Sequence, residues 1–417
     1  MEIHIGTKNI KDSNDFLRCL WAEVSKEFGK CAWIYAPHKQ LNKNGIFFGF
    51  MDIGVESELS VSITYEKKGT IKNLYFELEG ELQTIPKSME LHHRIKKVVK
   101  IAKSKVGNYN TFQYAPVIFT HRPLASYKGN YFQTKIVKEN LTKVEFQIQG
   151  YDSNQASGKA TKKLKQIMDF LCVETNAPFW EDKYINEPQK TLDKEIFQVD
   201  EDFIEGTPAI NNYIVLSKEG KRILDKIICP DKQESADLQL FLKACNHFHT
   251  ARKYDSGLFN SIEEDQLVVK GNADFQDLDR ELAISRRRGD SYTEIATTLY
   301  LSALEVITLT NLKEEKCNCC GQSKFQISKR VKNLVSKYMN DSVAKKLIDY
   351  YDKRSKYLHA GIQLINDEPT ISSIPLLDME DKTGCKVPIQ VSLLNLREYV
   401  SYCLRKFYKE NLLKSAG

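Results

Sequence analysis

The sequence predicts an α+β front half with a mainly antiparallel sheet, followed by an all-α helical bundle. Three observations carry this. Between residues 31 and 151 apolar residues alternate, or run in short stretches, with turn residues between them. From about residue 234 onward they recur three and four positions apart, the period of helices buried along one face. A charge-rich segment with Pro178, Pro188 and Pro208 separates the two patterns. The expected organisation is an α+β domain over 1–177, a connecting segment with a short helix over 178–233, and a helical domain over 234–417.

In chain order, a short apolar strand-like piece opens the sequence and NDFLRCLWAEVSKEF reads as a helix. Strands follow at CAWIYA (31–36), GIFFGFMDIG (45–54), SELSVSITYE (57–66) and IKNLYFELEGEL (71–82), the last two joined by a KKGT turn. KSMELHHRIKKVVKIAKSK (87–105) keeps Leu91, Ile95, Val98, Val99 and Ala102 at helical spacing against a cationic opposite face. Strands resume at FQYAPVIFT (112–120), YFQTKIVK (131–138) and TKVEFQIQGY (142–151), and a helix spans 156–176. In the connecting segment, Phe179, Trp180 and Phe203 suggest a chain lying against a surface, and KEGKRILDKII (218–228) reads as a helix. Later helices are expected near 234–254, 258–283, 291–313, 323–338, 341–360 and 390–411, an up-and-down arrangement. The stretch 362–389, with Pro369, Pro375, Gly384 and Pro388, reads as loop with short extended pieces.

With 41% hydrophobic and 10% aromatic residues the chain can bury proper cores. Its net charge of +6 permits a polyanionic partner without requiring one. No apolar run is long enough for a membrane span, and EIHIGTKNIKDSNDF has no signal-peptide core, so a cytoplasmic protein is expected. The ten cysteines are scattered, as reduced thiols would be. P-loop, dinucleotide, H-E-x-x-H and G-x-S-x-G signatures are absent, and no cofactor is implied.

The chemistry centres on DSVAKKLIDYYDKRSKYLHAG (341–361). Asn340, Asp341 or Ser342 can cap a helix that Gly361 stops. On a helical wheel Val343, Leu347, Tyr350, Tyr351, Tyr357 and Leu358 fall within about 60° of Arg354. A guanidinium thus sits inside an apolar stripe, where it needs an anionic partner. His359 follows in the last turn, where the helix C-terminus favours a protonated imidazole.

This segment is joined by FLKACNHFHTA (241–251), YLSALEVI (300–307) and FQISKRVKNL (325–334), in that order. Together they resemble the HEPN family of all-helical domains, in particular its ApeA-like branch, over roughly Leu238 to Tyr408. The R-x4-6-H signature of HEPN ribonucleases falls on Arg354 and His359, while Ser355 stands where many members carry Asn, Asp or His. The resemblance implies a metal-independent endoribonuclease acting as a homodimer, its two signature helices facing across a shared cleft. It also implies a role in bacterial anti-phage defence or as a toxin, with an antitoxin or a phage-derived trigger as further partner. The alternative is a non-catalytic HEPN module serving as a dimerisation or nucleic-acid-binding scaffold or sensor.

Cleavage by a neighbouring 2′-OH needs a base, an acid and positive charge on the phosphorane. Arg354 suits the phosphate, and His359 suits proton transfer. Five residues span about 140° of an ideal helix, so the two do not share a face. Glu305, on a helix apolar nearly all round, is the expected counter-ion of Arg354, unless it lies at an exposed edge or bonds a Tyr. Ser355 either meets substrate or bonds local backbone. Tyr351 and Tyr357 either stack bases or pack, and Lys356 lies beside them. Arg286, Arg287 and Arg288, and the 87–105 helix with His92, His93, Arg94, Lys96, Lys97, Lys100, Lys103 and Lys105, are RNA-contact candidates or solvated faces. Cys317, Cys319 and Cys320 of CNCC are weak zinc candidates, since C-x-C-C lacks ordinary C-x2-C spacing and has no second pair nearby. Cys245 and the HFH of 247–249 read as core packing.

Overall fold

A computed structural model describes residues 1–29, 31–37, 45–53, 58–66, 68–78, 85, 87–120, 124–138, 141–182, 197–200, 207–210, 213–229, 234–255, 290–310, 312, 315–316, 319, 323–324, 326–361, 376–377, 385–386 and 392–413. The N-terminal region is built on antiparallel sheet and the later region is helical. By internal contacts the chain forms two compact units, Met1–Phe112 with Ile148–Lys159, and Gln113–Gln147 with Ala160–Gly417. These limits differ from the expected boundaries at 177 and 233.

The first unit holds β1 (Glu2–His4), α1 (Ile10–Phe28), β2 (Cys31–Pro37), β3 (Gly45–Asp52), β4 (Glu58–Tyr65), β5 (Ile71–Leu78) and α2 (Glu90–Lys105). The strands pair antiparallel in the order β1-β5-β4-β3-β2. Asn9 caps α1 by accepting the Asp12 amide at 2.9 Å. Phe16, Leu20 and Val24 of α1, Leu91, Ile95 and Val98 of α2, and Leu59, Val61, Leu74 and Phe76 of the sheet share one core. Gly49 permits a close approach there, since a Cβ would lie 2.6 Å from the Trp21 ring.

The basic face of α2 is only partly available. His92 is buried, and Arg94 bonds Glu27 Oε1 at 2.8 Å and the Glu27 carbonyl at 3.0 Å. Lys105 pairs with Glu23 at 2.5 Å, and Lys103 donates to the His4 carbonyl. His93, Lys96, Lys97 and Lys100 remain on the exposed side. Half of the expected cationic face therefore binds the helix to its own unit.

Next come β6 (Asn110–Tyr114), β7 (Val117–Phe119), β8 (Tyr127–Lys128), β9 (Phe132–Lys138) and β10 (Leu141–Gly150). The single strand expected over 112–120 is broken at Ala115-Pro116, because proline has no amide for the ladder. α3 (Ser153–Thr175) leads into the segment expected as a connection, which contains β11 (Trp180–Asp182), β12 (Phe197–Asp200), β13 (Thr207–Ile210) and β14 (Tyr213–Ile214). β11 joins the sheet β11-β7-β10-β9-β8, with Phe179 buried and the Trp180 ring 5.9 Å from Phe119. Phe203 lies outside the described residues.

α4 (Lys218–Ile228), capped by Ser217, precedes the helices α5 (Ala236–Asp255), α6 (Asp290–Ile307), α7 (Ile327–Tyr338), α8 (Asp341–Ala360) and α9 (Ser392–Phe407), the last running into a π-helical turn at Tyr408–Leu412. The helix expected over 258–283 lies outside the described residues. α6 stops short of 313 because Thr308 and Thr310 turn their hydroxyls back onto the carbonyls of Glu305 and Ile307. Between helices, β15 (Glu315–Lys316) pairs with β16 (Ser323–Lys324), and β17 (Leu376–Leu377) with β18 (Cys385–Lys386). Phe241 of α5 sits at the centre, its ring 6.3 Å from Phe170 of α3, 6.2 Å from Phe407 and 5.7 Å from Tyr408.

Candidate functional site

α8 takes the bounds its sequence signals. Asn340 accepts the Val343 amide at 2.9 Å, and Gly361 adopts a left-handed φ of 66° that lets its amide reach the Tyr357 carbonyl at 3.1 Å. Ala344, Leu347 and Tyr351 are buried. Tyr351 donates to the Leu301 carbonyl at 3.1 Å, which fixes α8 against α6. One turn later Arg354 reaches the same stretch of α6. Its Nη1 pairs with Glu305 Oε1 and its Nη2 donates to Ser302 Oγ at 3.2 Å. Ser302 and Glu305 stand three apart on α6, on one face, so together they hold the guanidinium fork.

The pair is not sealed. Arg354 and Glu305 keep side-chain exposures of 18% and 20%, so solvent reaches both. The Nε of Arg354 is buried with no hydrogen-bond partner. The Arg354 guanidinium lies 5.9 Å from the Tyr351 ring centroid. Burial and the Glu305 carboxylate push the Tyr351 phenol up, so it stays a neutral donor.

Two further residues face this cluster that sequence reasoning had not placed there. His247 of α5, read as core packing, is half-buried against the Ser302 backbone, within electrostatic reach of Glu305 and Arg354. Its Nδ1 is buried and unpartnered. Arg330 of α7 is half-buried, with Nε and Nη1 both buried and unpartnered, and its charge reaches the Tyr351 hydroxyl. Residues from α5, α6, α7 and α8 therefore converge on one place. Arg330 stands beside the buried stripe of Val331, Val335 and Tyr338 instead of within it, so the wheel argument that picked out Arg354 does not single it out.

The last turn of α8 is open. Ser355, Lys356, His359 and Ala360 are exposed, Tyr357 is half-buried and Leu358 is 50% exposed. Leu358 was expected on the buried stripe. Helix length explains the difference: 20 residues of α8 span about 30 Å and 12 of α7 about 18 Å. Paired through a short link at Met339–Asn340, α8 outruns α7. Tyr351, weighed as either a base-stacking or a packing residue, is buried in the bundle.

Arg286, Arg287 and Arg288 lie outside the described residues, as do Cys317 and Cys320. Cys319 is exposed with a free thiol. Among the described residues no three His, Cys, Asp or Glu side chains group as metal ligands. No described helix is long and apolar enough to cross a membrane. The HFH segment divides. Whereas His247 faces Glu305, His249 is buried beside Asp169, its Nδ1 2.7 Å from Oδ1, with Nε2 against the Phe179 backbone. Cys245 is fully buried and its thiol is pushed well up by burial.

Burial lowers the affinity of both His247 and His249 for protons. An unfolded chain takes up those protons from about pH 6.5 downward, while the folded one resists. The stability these histidines contribute is thus full above pH 6.5 and is lost as pH falls through the folded values. Urea midpoints should accordingly be lower at pH 5.5 than at pH 7.5. An unchanged midpoint would mean that both rings accept a proton in place.

Neither a family model, nor a curated protein, nor a solved structure matches this chain.

Proposed function

We propose that the chain is a metal-independent endoribonuclease of HEPN type that acts as a homodimer through its helical region. The observation that carries this is a half-buried guanidinium, held in position but with one buried N–H unspent, five residues before an exposed histidine on the same helix. Arg354, permanently charged, takes the scissile phosphate, and Ser302 and Glu305 aim its fork. His359, free at the open end of α8, exchanges protons with the ribose 2′-oxygen or the departing 5′-oxygen. The 2′-oxygen attacks phosphorus as its proton goes to a base. The P–O5′ bond breaks as that oxygen receives a proton. The products are a 2′,3′-cyclic phosphate and a 5′-hydroxyl.

One imidazole cannot give and accept a proton in the same step, so two protomers supply acid and base. The overhanging turn with Leu358 exposed beside His359 supports a partner at this end, and Leu309, Leu312 and Ile327 are exposed large apolar residues as well. Ser355 and Lys356 lie exposed in the same turn, where substrate can meet them. A cytoplasmic place is the expectation from the sequence, and a role in anti-phage defence or as a toxin, with control by an antitoxin or phage-derived trigger, is what the family resemblance implies. The second reading, a non-catalytic HEPN scaffold, draws on the Arg354–Glu305 pair itself, because a carboxylate that neutralises the arginine also suits a purely structural contact.

Purified protein in excess chelator should cut a single-stranded RNA and leave the matching DNA whole, since DNA has no 2′-OH. New RNA ends should carry 2′,3′-cyclic phosphate. Intact RNA at every protein concentration, or equal cutting of DNA, would rule out this chemistry.

A further inference from the structure

We propose that Arg330 and Arg354 together form a two-guanidinium site for one phosphoryl group on the α7–α8 hairpin. The inference rests on the reading that Arg354 serves a phosphate and adds the residue that completes its binding. Hairpin register brings the arginines together. Counting back eight residues from Tyr338 reaches Arg330, about 12 Å from the link, and counting forward thirteen from Asp341 reaches Arg354, about 20 Å from it, a gap the side chains narrow because each leans toward the N-terminus of its own helix. Arg354 follows one turn beyond Tyr351 and lies against its ring.

The hydrogen-bond inventory then points to an anion. Arg330 keeps Nε and Nη1 buried without partners, and Arg354 keeps Nε the same way. Three buried charged donors with nothing to bond are costly where they stand. Among the described residues Glu305 is the carboxylate paired with Arg354, and none pairs with Arg330. A tetrahedral oxyanion offers several acceptors and fits two forks. Arg330 is only half-buried, and the site requires its buried donors to turn outward to meet a ligand. The ligand class is a phosphate, whether a phosphodiester of a polynucleotide or a free phosphate ion.

The test uses the full chain with two probes, inorganic phosphate and a single-stranded oligodeoxynucleotide, which has no 2′-OH and is not cut. In thermal melts, phosphate should raise the midpoint of the unaltered protein above that in chloride of equal ionic strength. Arg330→Gln should abolish this rise, yet melt at the same temperature or higher without phosphate, since it removes an unpaired buried charge. A purely structural arginine would show the reverse, a lower midpoint in both salts. By fluorescence anisotropy the oligodeoxynucleotide should bind Arg330→Gln roughly tenfold more weakly, the scale of one charged hydrogen bond, and Arg330→Lys should recover part of the loss. Response to the oligodeoxynucleotide alone assigns the site to polynucleotide, and response to phosphate as well assigns it to the ion. No difference between the unaltered protein and Arg330→Gln with either probe overturns the proposal, as it would if water filled the gap. RNA cutting that persists in that case leaves the ribonuclease reading standing. Arginine-dependent binding without cutting removes that reading and keeps the site.

Discussion

Arg354→Ala should reduce RNA cleavage by roughly a hundredfold or more, the scale for losing one positioned charge on a phosphorane. Arg354→Lys should recover little, because Glu305 Oε1 and Ser302 Oγ are matched to two separate N–H groups that a single ammonium does not reproduce. His359→Ala should cost at least as much by removing the proton carrier. Its fold should be unaffected, since the ring is exposed. Mixing the two inactive proteins gives the sharper result. If each cleft draws residues from both copies, mixed dimers regain part of the activity, and neither protein alone shows any. Equal cutting by all three proteins would trace the activity to a contaminant.

Phe241→Ala should have the largest effect on stability, about 3–5 kcal/mol, as for deleting a fully buried aromatic ring. Phe241 has no solvent exposure and touches rings from α3, α9 and the π-helical turn. Three elements would lose packing at once, and the cavity cannot collapse without moving helices. Urea unfolding at neutral pH reads the loss directly. Phe241→Leu should lose much less, because most of the volume is retained.

Helices with a strong period and clear caps were legible from sequence. The bounds of α8 followed from Asn340 and Gly361, and the Arg354–Glu305 pair followed from two misfits, a cation and a carboxylate on apolar faces. Three kinds of information were not local. The strand β11 sits in a charged, proline-bearing stretch because its partner β7 lies elsewhere in the chain, and β12 to β14, which pair with one another in that stretch, carry no apolar period to mark them. The exposure of Leu358 depends on the length of a neighbouring helix, which a wheel drawn for one helix does not contain. His247 and His249 look alike in HFH, yet two positions of helix, about 200° of rotation, point one toward Glu305 and the other toward Asp169. Arg330 was not legible by the argument that found Arg354, because RVKNL resembles an ordinary amphipathic face until α8 is laid beside it.

If two copies must meet at the overhang of α8, abundance becomes a control on chemistry. The last turn of α8, with Ser355, Lys356, Leu358 and His359 exposed, carries the imidazole that the proposed chemistry needs. If pairing of two copies is what completes that chemistry, output per cell climbs with the square of expression while copies are scarce, then becomes linear once most are paired. A twofold rise in synthesis would then mean a fourfold rise in damage, and dilution by growth would quiet the protein without any dedicated inhibitor.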